Sequence, residues 1–311
     1  MTAVCNDGVS ASRPVGLRGE LRFNEPLANH TSWRVGGPAD RFYLPADADD
    51  LILFLRSLHP DEPVFWLGLG SNLLVRDGGI RGTVICTRNR LRQLRRKDHQ
   101  SIYVEVGVPC AHVARFCLEQ ALTGAEFLAG IPGTMGGALA MNAGAFGGET
   151  WSLVQRILTV DRTGVLWDRE PADFVIGYRS VKKPENEWFL ACELRLRSGD
   201  TAVGRKRIRD LLAKRNASQP INLPSCGSVF RNPQGDYAAR LIEACGLKGY
   251  RIGGAYVSEK HANFIINSGA ATAADIEALI LLIQARVEEK FGQRLVPEVR
   301  IVGERSRGES E

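Results

Sequence analysis

Two glycine-rich segments constrain this chain more than any other feature of its sequence. They are Gly68-Leu69-Gly70-Ser71-Asn72-Leu73 and Ile131-Pro132-Gly133-Thr134-Met135-Gly136-Gly137-Ala138. Glycine reaches positive φ angles and carries no Cβ, so successive backbone N–H groups can converge on phosphate oxygens. Two such segments in one chain predict a large phosphate-bearing ligand that is held along its length.

Neither segment fits the two best-known phosphate-binding motifs. Leu73 stands where a Rossmann fingerprint needs its third glycine, and no Gly-Lys-Ser/Thr follows either segment, as a Walker loop requires. Each segment could instead be only a structural turn, but the polar side chains of Ser71, Asn72 and Thr134 favour binding. The pair therefore predicts a two-point cradle of another kind.

Composition excludes several classes of function. The net charge of +5 suits small anionic ligands and is too small to require nucleic acid as a partner. The seven cysteines lack a C-x-x-C pair and the five histidines lack zinc-ligand spacing, so we expect no disulfide framework and no metal site. No apolar run approaches the roughly 20 residues that span a bilayer. We expect a cytoplasmic protein without a membrane partner.

Short strands alternate with helices, which favours an α/β or α+β fold. A helix is expected at residues 111–122, with Thr123-Gly124 as a left-handed stop. A second helix at 205–215 is followed by a proline-containing break, which predicts a domain boundary near residues 205–220. Thr272 and Asp275 form a capping-box-like start to an apolar helix that ends at Gly292.

Further segments stand in a fixed order along the chain. They cover residues 29–37, 141–147, 177–180, 227–233, 258–264 and 297–299. Together with the two glycine segments, this ordered set resembles the UDP-N-acetylenolpyruvoylglucosamine reductase family over nearly the whole chain. The short stretch between Ser228 and Lys260 resembles the shorter subtype, which lacks an extra substrate-clamping segment.

The resemblance implies an α/β (α+β) architecture in which an FAD-binding module of the vanillyl-alcohol-oxidase type (PCMH) precedes a substrate-binding domain. We expect a flexible tail at residues 1–28 and the FAD-binding domain at 29–204, in subdomains of about 29–87 and 88–204. The C-terminal α+β domain is then expected at 205–311.

The implied reaction is NADPH-dependent, FAD-mediated reduction of the enolpyruvyl group of UDP-N-acetylglucosamine enolpyruvate. The product is UDP-N-acetylmuramate, a peptidoglycan precursor. FAD is expected to be non-covalent, because residues 68–74 contain no histidine, and NADPH is the expected hydride donor. We expect a monomer.

Three residues are implied as catalytic. Hydride addition to the vinyl carbon leaves negative charge that spreads into the neighbouring carboxylate, and a fixed cation would stabilise it. Arg179 matches the family's catalytic arginine, and Ser228 matches the proton donor. Glu298 is the third, and we expect a raised pKa or a place in an Arg179–Ser228 network. Their alternatives are a surface salt bridge, a turn hydroxyl and a surface carboxylate.

Binding residues are carried over from the same resemblance. The residues expected to bind FAD are Gly68, Gly70, Ser71, Asn72, Leu73, Gly133, Thr134, Gly136, Gly137, Asn142, Gly144 and Ala145. The residues expected to bind substrate are Tyr178, Asn232, Lys260 and Asn263. Two positions depart from the family. Cys226 replaces a usual alanine and could make the site sensitive to oxidation, and Arg231 replaces a common lysine.

Two alternatives remain from the sequence. One is an FAD-dependent oxidase of the same superfamily that acts on an alcohol or sugar. The other is a nucleic-acid-binding module that uses the basic run at residues 88–97. That run has no interleaved aromatic residues for base stacking, which favours a solvated surface and no nucleic-acid partner.

Overall fold

The computed structural model describes residues 16–306. The α-helices in that range are α1 (Ala48–Ser57), α2 (Cys110–Glu119), α3 (Met135–Met141), α4 (Thr201–Ser218), α5 (Ala238–Ala244) and α6 (Ala273–Phe291). The strands are β1 (Glu20–Pro26), β2 (Pro38–Leu44), β3 (Val64–Leu67), β4 (Leu73–Val75), β5 (Ile80–Cys86), β6 (Leu94–Arg96), β7 (Ser101–Glu105), β8 (Leu122–Thr123), β9 (Gly144–Ala145), β10 (Gly148–Glu149), β11 (Val154–Asp161), β12 (Leu166–Arg169), β13 (Val175–Gly177), β14 (Ser180–Lys182), β15 (Glu187–Arg195), β16 (Arg197–Ser198), β17 (Arg251–Ile252), β18 (Ala255–Val257), β19 (Ile265–Asn267) and β20 (Arg300–Val302). Short 3-10 helices cover Leu27–His30, Glu126–Gly130, Thr150–Ser152 and Pro171–Asp173.

The first sheet has the strand order β1-β2-β5-β3. β1 pairs antiparallel with β2, and β5 runs parallel to both β2 and β3. Helix α1 connects β2 to β3, and the Asp47 carboxylate caps its start by accepting the Asp50 N–H at 3.0 Å. Phe42 and Val84 are fully buried in the core of this sheet. The first glycine segment begins directly after β3, whose last residue, Leu67, is buried.

The second sheet is antiparallel throughout, in the order β12-β11-β15-β7-β6. β11 and β12 form a hairpin, in whose turn Gly164 has a φ of 75°. Helices α2 and α3 bury apolar residues such as Val113 and Leu139 in the same core as this sheet. The second glycine segment leads directly into α3, for which Thr134 is the N-cap residue.

The C-terminal domain packs α5 and α6 around the sheet β17-β18-β19. The predicted capping box is confirmed: the Asp275 N–H donates to Thr272 Oγ1, and the Thr272 N–H donates to the Asp275 carboxylate, both at 3.0 Å. Gly292 ends α6 with a φ of 64°. Trp33 from the N-terminal part is fully buried in this core, where its Nε1 donates to Ile265 O at 2.7 Å.

The last strand returns to the N-terminal part of the molecule. β20 pairs in parallel with β4, with Arg300 opposite Leu73 and Val302 opposite Val75. Because β4 directly follows the first glycine segment, this pairing brings the chain around residue 298 next to that segment.

The structure adds detail at two of the expected domain boundaries. The expected tail at 1–28 contains the ordered strand β1, although residues 1–15 lie outside the described part of the chain. Residue 205 falls inside α4, which packs on the N-terminal domain and ends at Ser218, within the expected range of residues 205–220. Thr201 Oγ1 donates to Leu118 O at 3.0 Å, and Gly204 packs so closely on Leu118 that an added Cβ would lie 2.3 Å from its side chain.

Helix α2 is shorter than expected. It ends at Glu119, and Gln120 is its C-cap residue. Ala121 takes the left-handed conformation with a φ of 54°, so the expected stop at residues 123–124 is wrong. The chain then re-enters a short strand, β8, which pairs with β16.

The basic side chains at residues 88–97 are mostly exposed, and several of them contact other parts of the chain. Arg96 donates to three main-chain carbonyls, and the Arg95 guanidinium lies over the Tyr103 ring, 4.6 Å from its centre. Lys97 pairs with Glu193. Within residues 16–306 no helix is both long and apolar enough to cross a membrane.

Candidate active site

The two glycine segments lie side by side. A Cβ added at Gly68 would lie 2.5 Å from Thr134 Oγ1, and one added at Gly133 would lie 3.5 Å from Ser71 Oγ. Gly70 has a φ of 65°, and its Cβ would stand 2.0 Å from the carbonyl oxygen of His30. Both the conformation and the space at Gly70 therefore require glycine.

A cavity of about 630 Å³, here called the loop cavity, opens on one side of this pair. Ser71 and Pro132 from the glycine segments line it, together with Gly227 from the segment that carries Ser228. Three arginines also line it: Arg34, Arg88 and Arg215. Such a combination of backbone turns and guanidinium groups is suited to a phosphate-bearing ligand.

A second cavity, here called the tryptophan cavity, has a volume of about 340 Å³. Gly68, Gly136 and Gly137 line it beside the indole rings of Trp66 and Trp188, whose centres are 5.5 Å apart. The Trp66 Nε1 is buried without a hydrogen-bond partner among the described residues. This unpaired donor is available to an acceptor on a ligand.

Arg179 is held at the tip of a hairpin. Gly177 pairs with Ser180, so Tyr178 and Arg179 form the two-residue turn between β13 and β14. Arg179 has a φ of 52°, a strained conformation for a residue with a Cβ. Its Nη2 donates to Gly144 O at 2.6 Å and its Nη1 donates to Asn142 O at 3.3 Å.

Glu298 lies directly against this guanidinium. Arg179 Nε is 3.3 Å from Glu298 Oε1, and the two side chains are 16% and 15% exposed. Burial raises the pKa of the Glu298 carboxyl above its ordinary value, although the charges of Arg179 and Arg231 act to lower it. The direction of the pKa agrees with the expectation, and the catalytic role of Glu298 stays a prediction.

The segment that carries Ser228 pairs with the segment that carries Glu298. The Glu298 N–H donates to Val229 O at 2.7 Å, the Arg231 N–H donates to Val296 O at 2.9 Å, and Phe230 and Pro297 form a β-bridge. Ser228 is half-buried in this pairing. The backbone thus brings the segment of Ser228 next to the segment whose carboxyl contacts Arg179.

Asn72 connects the first glycine segment to the same place. Its Nδ2 donates to Glu298 O at 3.1 Å, and its carbonyl accepts the Arg300 N–H at 3.1 Å. Asn142 at the end of α3 is buried, with a φ of 48°, and its Nδ2 donates to Gly177 O at 3.2 Å. Both asparagines therefore help to position the contact between Arg179 and Glu298.

The four residues expected to bind substrate lie in different surroundings. Asn263 is buried and bonded to both backbone groups of Phe230, at 2.9 and 2.8 Å, so it fixes the segment of Ser228. Asn232 Oδ1 accepts the Ala238 N–H at the start of α5. Lys260 Nζ donates to Asn216 O at 2.6 Å, and Tyr178 is 51% exposed beside Arg179. Substrate contacts of these residues stay predictions.

Cys226 does not fit the expectation of an oxidation-sensitive thiol. It is only 4% exposed, and its Sγ lies 3.4 Å from Leu73 O. Burial raises the pKa of this thiol to about 12, so the reactive thiolate is disfavoured at neutral pH. That expectation is wrong, because the small side chain fills the contact between the domains.

Comparisons with known proteins decide the family. A model described as "UDP-N-acetylenolpyruvoylglucosamine reductase, C-terminal domain" matches residues 219–302, and one described as "FAD binding domain" matches residues 39–168. The UDP-N-acetylenolpyruvoylglucosamine reductase of Methylococcus capsulatus is 67% identical, over 92% of this chain and 94% of its own length. This chain belongs to the UDP-N-acetylenolpyruvoylglucosamine reductase family.

Other members of the family agree. The reductase of Alkalilimnicola ehrlichii is 62% identical over 92% of this chain and 96% of its own length. A crystal structure of the reductase from Thermus caldophilus superposes with a TM-score of 0.77 at 30% identity, covering 92% of this chain and 99% of that chain. The protein is therefore an FAD-containing oxidoreductase, and the predicted family, fold class and FAD cofactor are confirmed.

The residues present fit an FAD. A Cβ at Gly70 or Gly136 would meet the protein itself, at 2.0 Å from His30 O and 2.9 Å from Val106 Cβ, whereas one at Gly137 would meet only Thr134 Oγ1, at 3.9 Å. The unpaired Trp66 Nε1 provides a donor beside the same turns. The two glycine segments, with the cavities that flank them, would hold the dinucleotide.

Several residues at the site were not found from the sequence. Trp66 precedes the first glycine segment by two positions, and this closeness is the feature of the sequence that could have identified it. Lys183 and Arg300 also line the tryptophan cavity, and burial lowers the pKa of Lys183. Arg88 belongs to the run that was interpreted as a solvated surface, yet it lines the loop cavity.

Proposed function

We propose that this protein reduces the enolpyruvyl group of UDP-N-acetylglucosamine enolpyruvate to give UDP-N-acetylmuramate, with NADPH as the reductant. The observation that carries the proposal is the contact between Arg179 and Glu298 beside the segment of Ser228, next to the glycine segments. Bound FAD would supply the hydride-transfer chemistry. The protein's own residues then have to manage charge and one proton.

Arg179 is suited to stabilise the negative charge that develops at the substrate carboxylate. Its guanidinium is fixed by two main-chain carbonyls and by Glu298, so little reorganisation is needed when the charge appears. Removal of one such preorganised donor typically costs about 3 kcal/mol of transition-state stabilisation.

Glu298 is suited to share the site with that charge because its pKa is raised. An ionised carboxylate would repel the developing negative charge, whereas a protonated carboxyl can donate a hydrogen bond to it. Its backbone N–H also fixes Val229, the neighbour of Ser228. Glu298 would thus stabilise the developing negative charge and position the segment that carries the proton donor.

Ser228 would deliver the proton to the carbon next to the carboxylate. A hydroxyl is a weak acid, which suits it to a strongly basic carbanion. General acid catalysis of this kind contributes on the order of 10²–10⁴ in rate. The buried amide of Asn263 holds the backbone of Phe230, two positions away.

The experiment is a comparison of half-reactions in Ser228→Ala. Bleaching of the flavin absorbance by NADPH should stay close to wild type, whereas formation of UDP-N-acetylmuramate should fall by about 10²–10⁴. Ser268→Ala is the control, since this exposed hydroxyl donates to Gly254 O in the same domain. Equal loss of both half-reactions in Ser228→Ala would contradict the proton-donor role.

The oxidase alternative makes a separate prediction about the flavin. His30 lies beside Gly70, but its Nε2 is 2.7 Å from Glu25 Oε1 and its ring packs on Phe42. We therefore infer a non-covalent FAD that acid denaturation releases into solution. A role in peptidoglycan precursor synthesis and a cytoplasmic location belong to the same proposal, as do a monomeric state and the absence of a nucleic-acid partner.

A further inference from the structure

The donors of Arg179 are largely committed within the protein. Nη1 and Nη2 each donate to a main-chain carbonyl, and Nε faces Glu298. This arrangement fixes the guanidinium but leaves few of its five N–H groups for a substrate. A carboxylate can accept more hydrogen bonds than these remaining groups supply.

Arg231 is a second guanidinium close to the same carboxyl. Its backbone N–H donates to Val296 O at 2.9 Å, and the adjoining Phe230 bridges to Pro297, so Arg231 emerges beside the segment of Glu298. Its charge, like that of Arg179, lowers the pKa of Glu298. Arg231 is also only three positions from Ser228.

The Arg231 side chain has a donor without an acceptor. Its Nε is fully buried, and no hydrogen-bond partner for it lies among residues 16–306. A buried and charged donor is costly when it is unpaired, and such groups in native proteins usually await a ligand. The position of Arg231 makes an anionic group of the substrate the natural acceptor.

We propose that Arg231 binds the carboxylate of the enolpyruvyl group, so that Arg179 and Arg231 together hold the anion that is reduced. The inference rests on the proposed function and assigns part of its substrate specificity. UDP-N-acetylglucosamine has the same diphosphate but no such carboxylate. A site with a buried unpaired donor discriminates strongly against a ligand that lacks the matching acceptor.

The test compares two ligands on the FAD-loaded enzyme. Binding of the enolpyruvyl nucleotide and of UDP-N-acetylglucosamine is titrated by the change in flavin absorbance. Arg231→Gln should weaken binding of the enolpyruvyl nucleotide by on the order of tenfold or more and UDP-N-acetylglucosamine by less than about twofold. The affinity of Arg231→Lys for the enolpyruvyl nucleotide should lie between those of wild type and Arg231→Gln, because an ammonium keeps the charge but not the planar fork.

Controls separate this inference from a structural role. Arg294→Gln removes an exposed guanidinium in the same domain and should change neither affinity. Arg231→Met removes an unpaired buried donor, so its melting temperature should equal or exceed that of wild type. A lower melting temperature or failure to fold would assign Arg231 a structural role and overturn the proposal.

The remaining outcomes are equally decisive. Equal weakening of both ligands would place Arg231 at the diphosphate, and unchanged affinities would remove it from the site. Either result overturns the proposal while the wild-type activity stands. Failure of the wild-type enzyme to reduce the enolpyruvyl nucleotide would instead contradict the proposed function.

Discussion

Glu298 shows how burial and an adjacent cation compete at one carboxyl. Burial has the larger effect, so the pKa in the folded protein lies above the unfolded value of about 4.3. The carboxyl therefore favours folding most fully below that value, and this contribution is lost as the pH rises through the folded pKa.

Glu298→Gln should remove this contribution to the pH dependence of stability. The stability of the variant relative to wild type should rise as the pH increases from about 4 to 8, because only wild type must ionise a buried group. Urea denaturation at several pH values measures the difference. A relative stability that falls over this range would mean that the ion pair with Arg179 outweighs burial.

The Trp66 indole allows a direct test of the cofactor site. Trp66→Phe keeps an aromatic ring but removes the unpaired N–H, and the dissociation constant for FAD should rise by about 2–10-fold. Trp167→Phe is the matched control, since that indole donates to Asp161 in a surface hairpin. Equal FAD affinities of both variants in fluorescence titrations would place the ligand elsewhere.

Among the loops, the backbone conformation of the first glycine segment depends on Gly70. Gly70→Ala and Gly235→Ala both place a Cβ at positive φ, but only Gly70 also meets a neighbour, at 2.0 Å from His30 O. We expect a loss of about 1 kcal/mol for Gly235→Ala and at least about 3 kcal/mol, with loss of FAD, for Gly70→Ala. Similar denaturation midpoints would contradict this account.

Local elements were predictable where their signals are local. The capping box of α6 needs only Thr272 and Asp275, and its apolar stripe is continuous. β1 was missed because it is an edge strand: Leu21 and Phe23 alternate with polar residues over only a short stretch, and most residues of the strand are exposed. The place of α4 was missed because it depends on the contact between Gly204 and Leu118 across the fold.

The active site was predictable only in part. Glycine content identified the two loops, but no spacing brings Arg179 to Glu298, and the family resemblance supplied that pairing. The unpaired nitrogens of Trp66 and Arg231 are properties of packing. No pattern in the sequence reports whether a buried donor finds an acceptor.

In the whole molecule, the two domains are joined around the end of β4. The Asp77 carboxylate accepts the N–H groups of Ala273 and Ala274 at the start of α6, both at 3.0 Å, and Arg76 makes a two-pronged contact with Glu277. With the pairing of β4 and β20, these contacts hold the segment of Glu298 against the first glycine segment.

Asp77→Ala should therefore loosen the connection between the domains. We expect a loss of about 1–2 kcal/mol in the free energy of unfolding, and a smaller loss for Asp77→Asn, which keeps one amide oxygen as acceptor. Asp61→Ala, at a carboxylate that is 92% exposed, is the control in the same urea titrations. If the two variants lost the same free energy of unfolding, the hydrogen bonds from the start of α6 to Asp77 would contribute nothing to stability.

The most direct test of the central claim is a visible absorbance spectrum of the purified protein, followed through two additions under anaerobic conditions. We predict that a flavin spectrum is present, that NADPH bleaches it, and that UDP-N-acetylglucosamine enolpyruvate restores it while UDP-N-acetylmuramate forms. Colourless folded protein that ignores added FAD, or a bleached spectrum that the nucleotide leaves unchanged, would contradict the account.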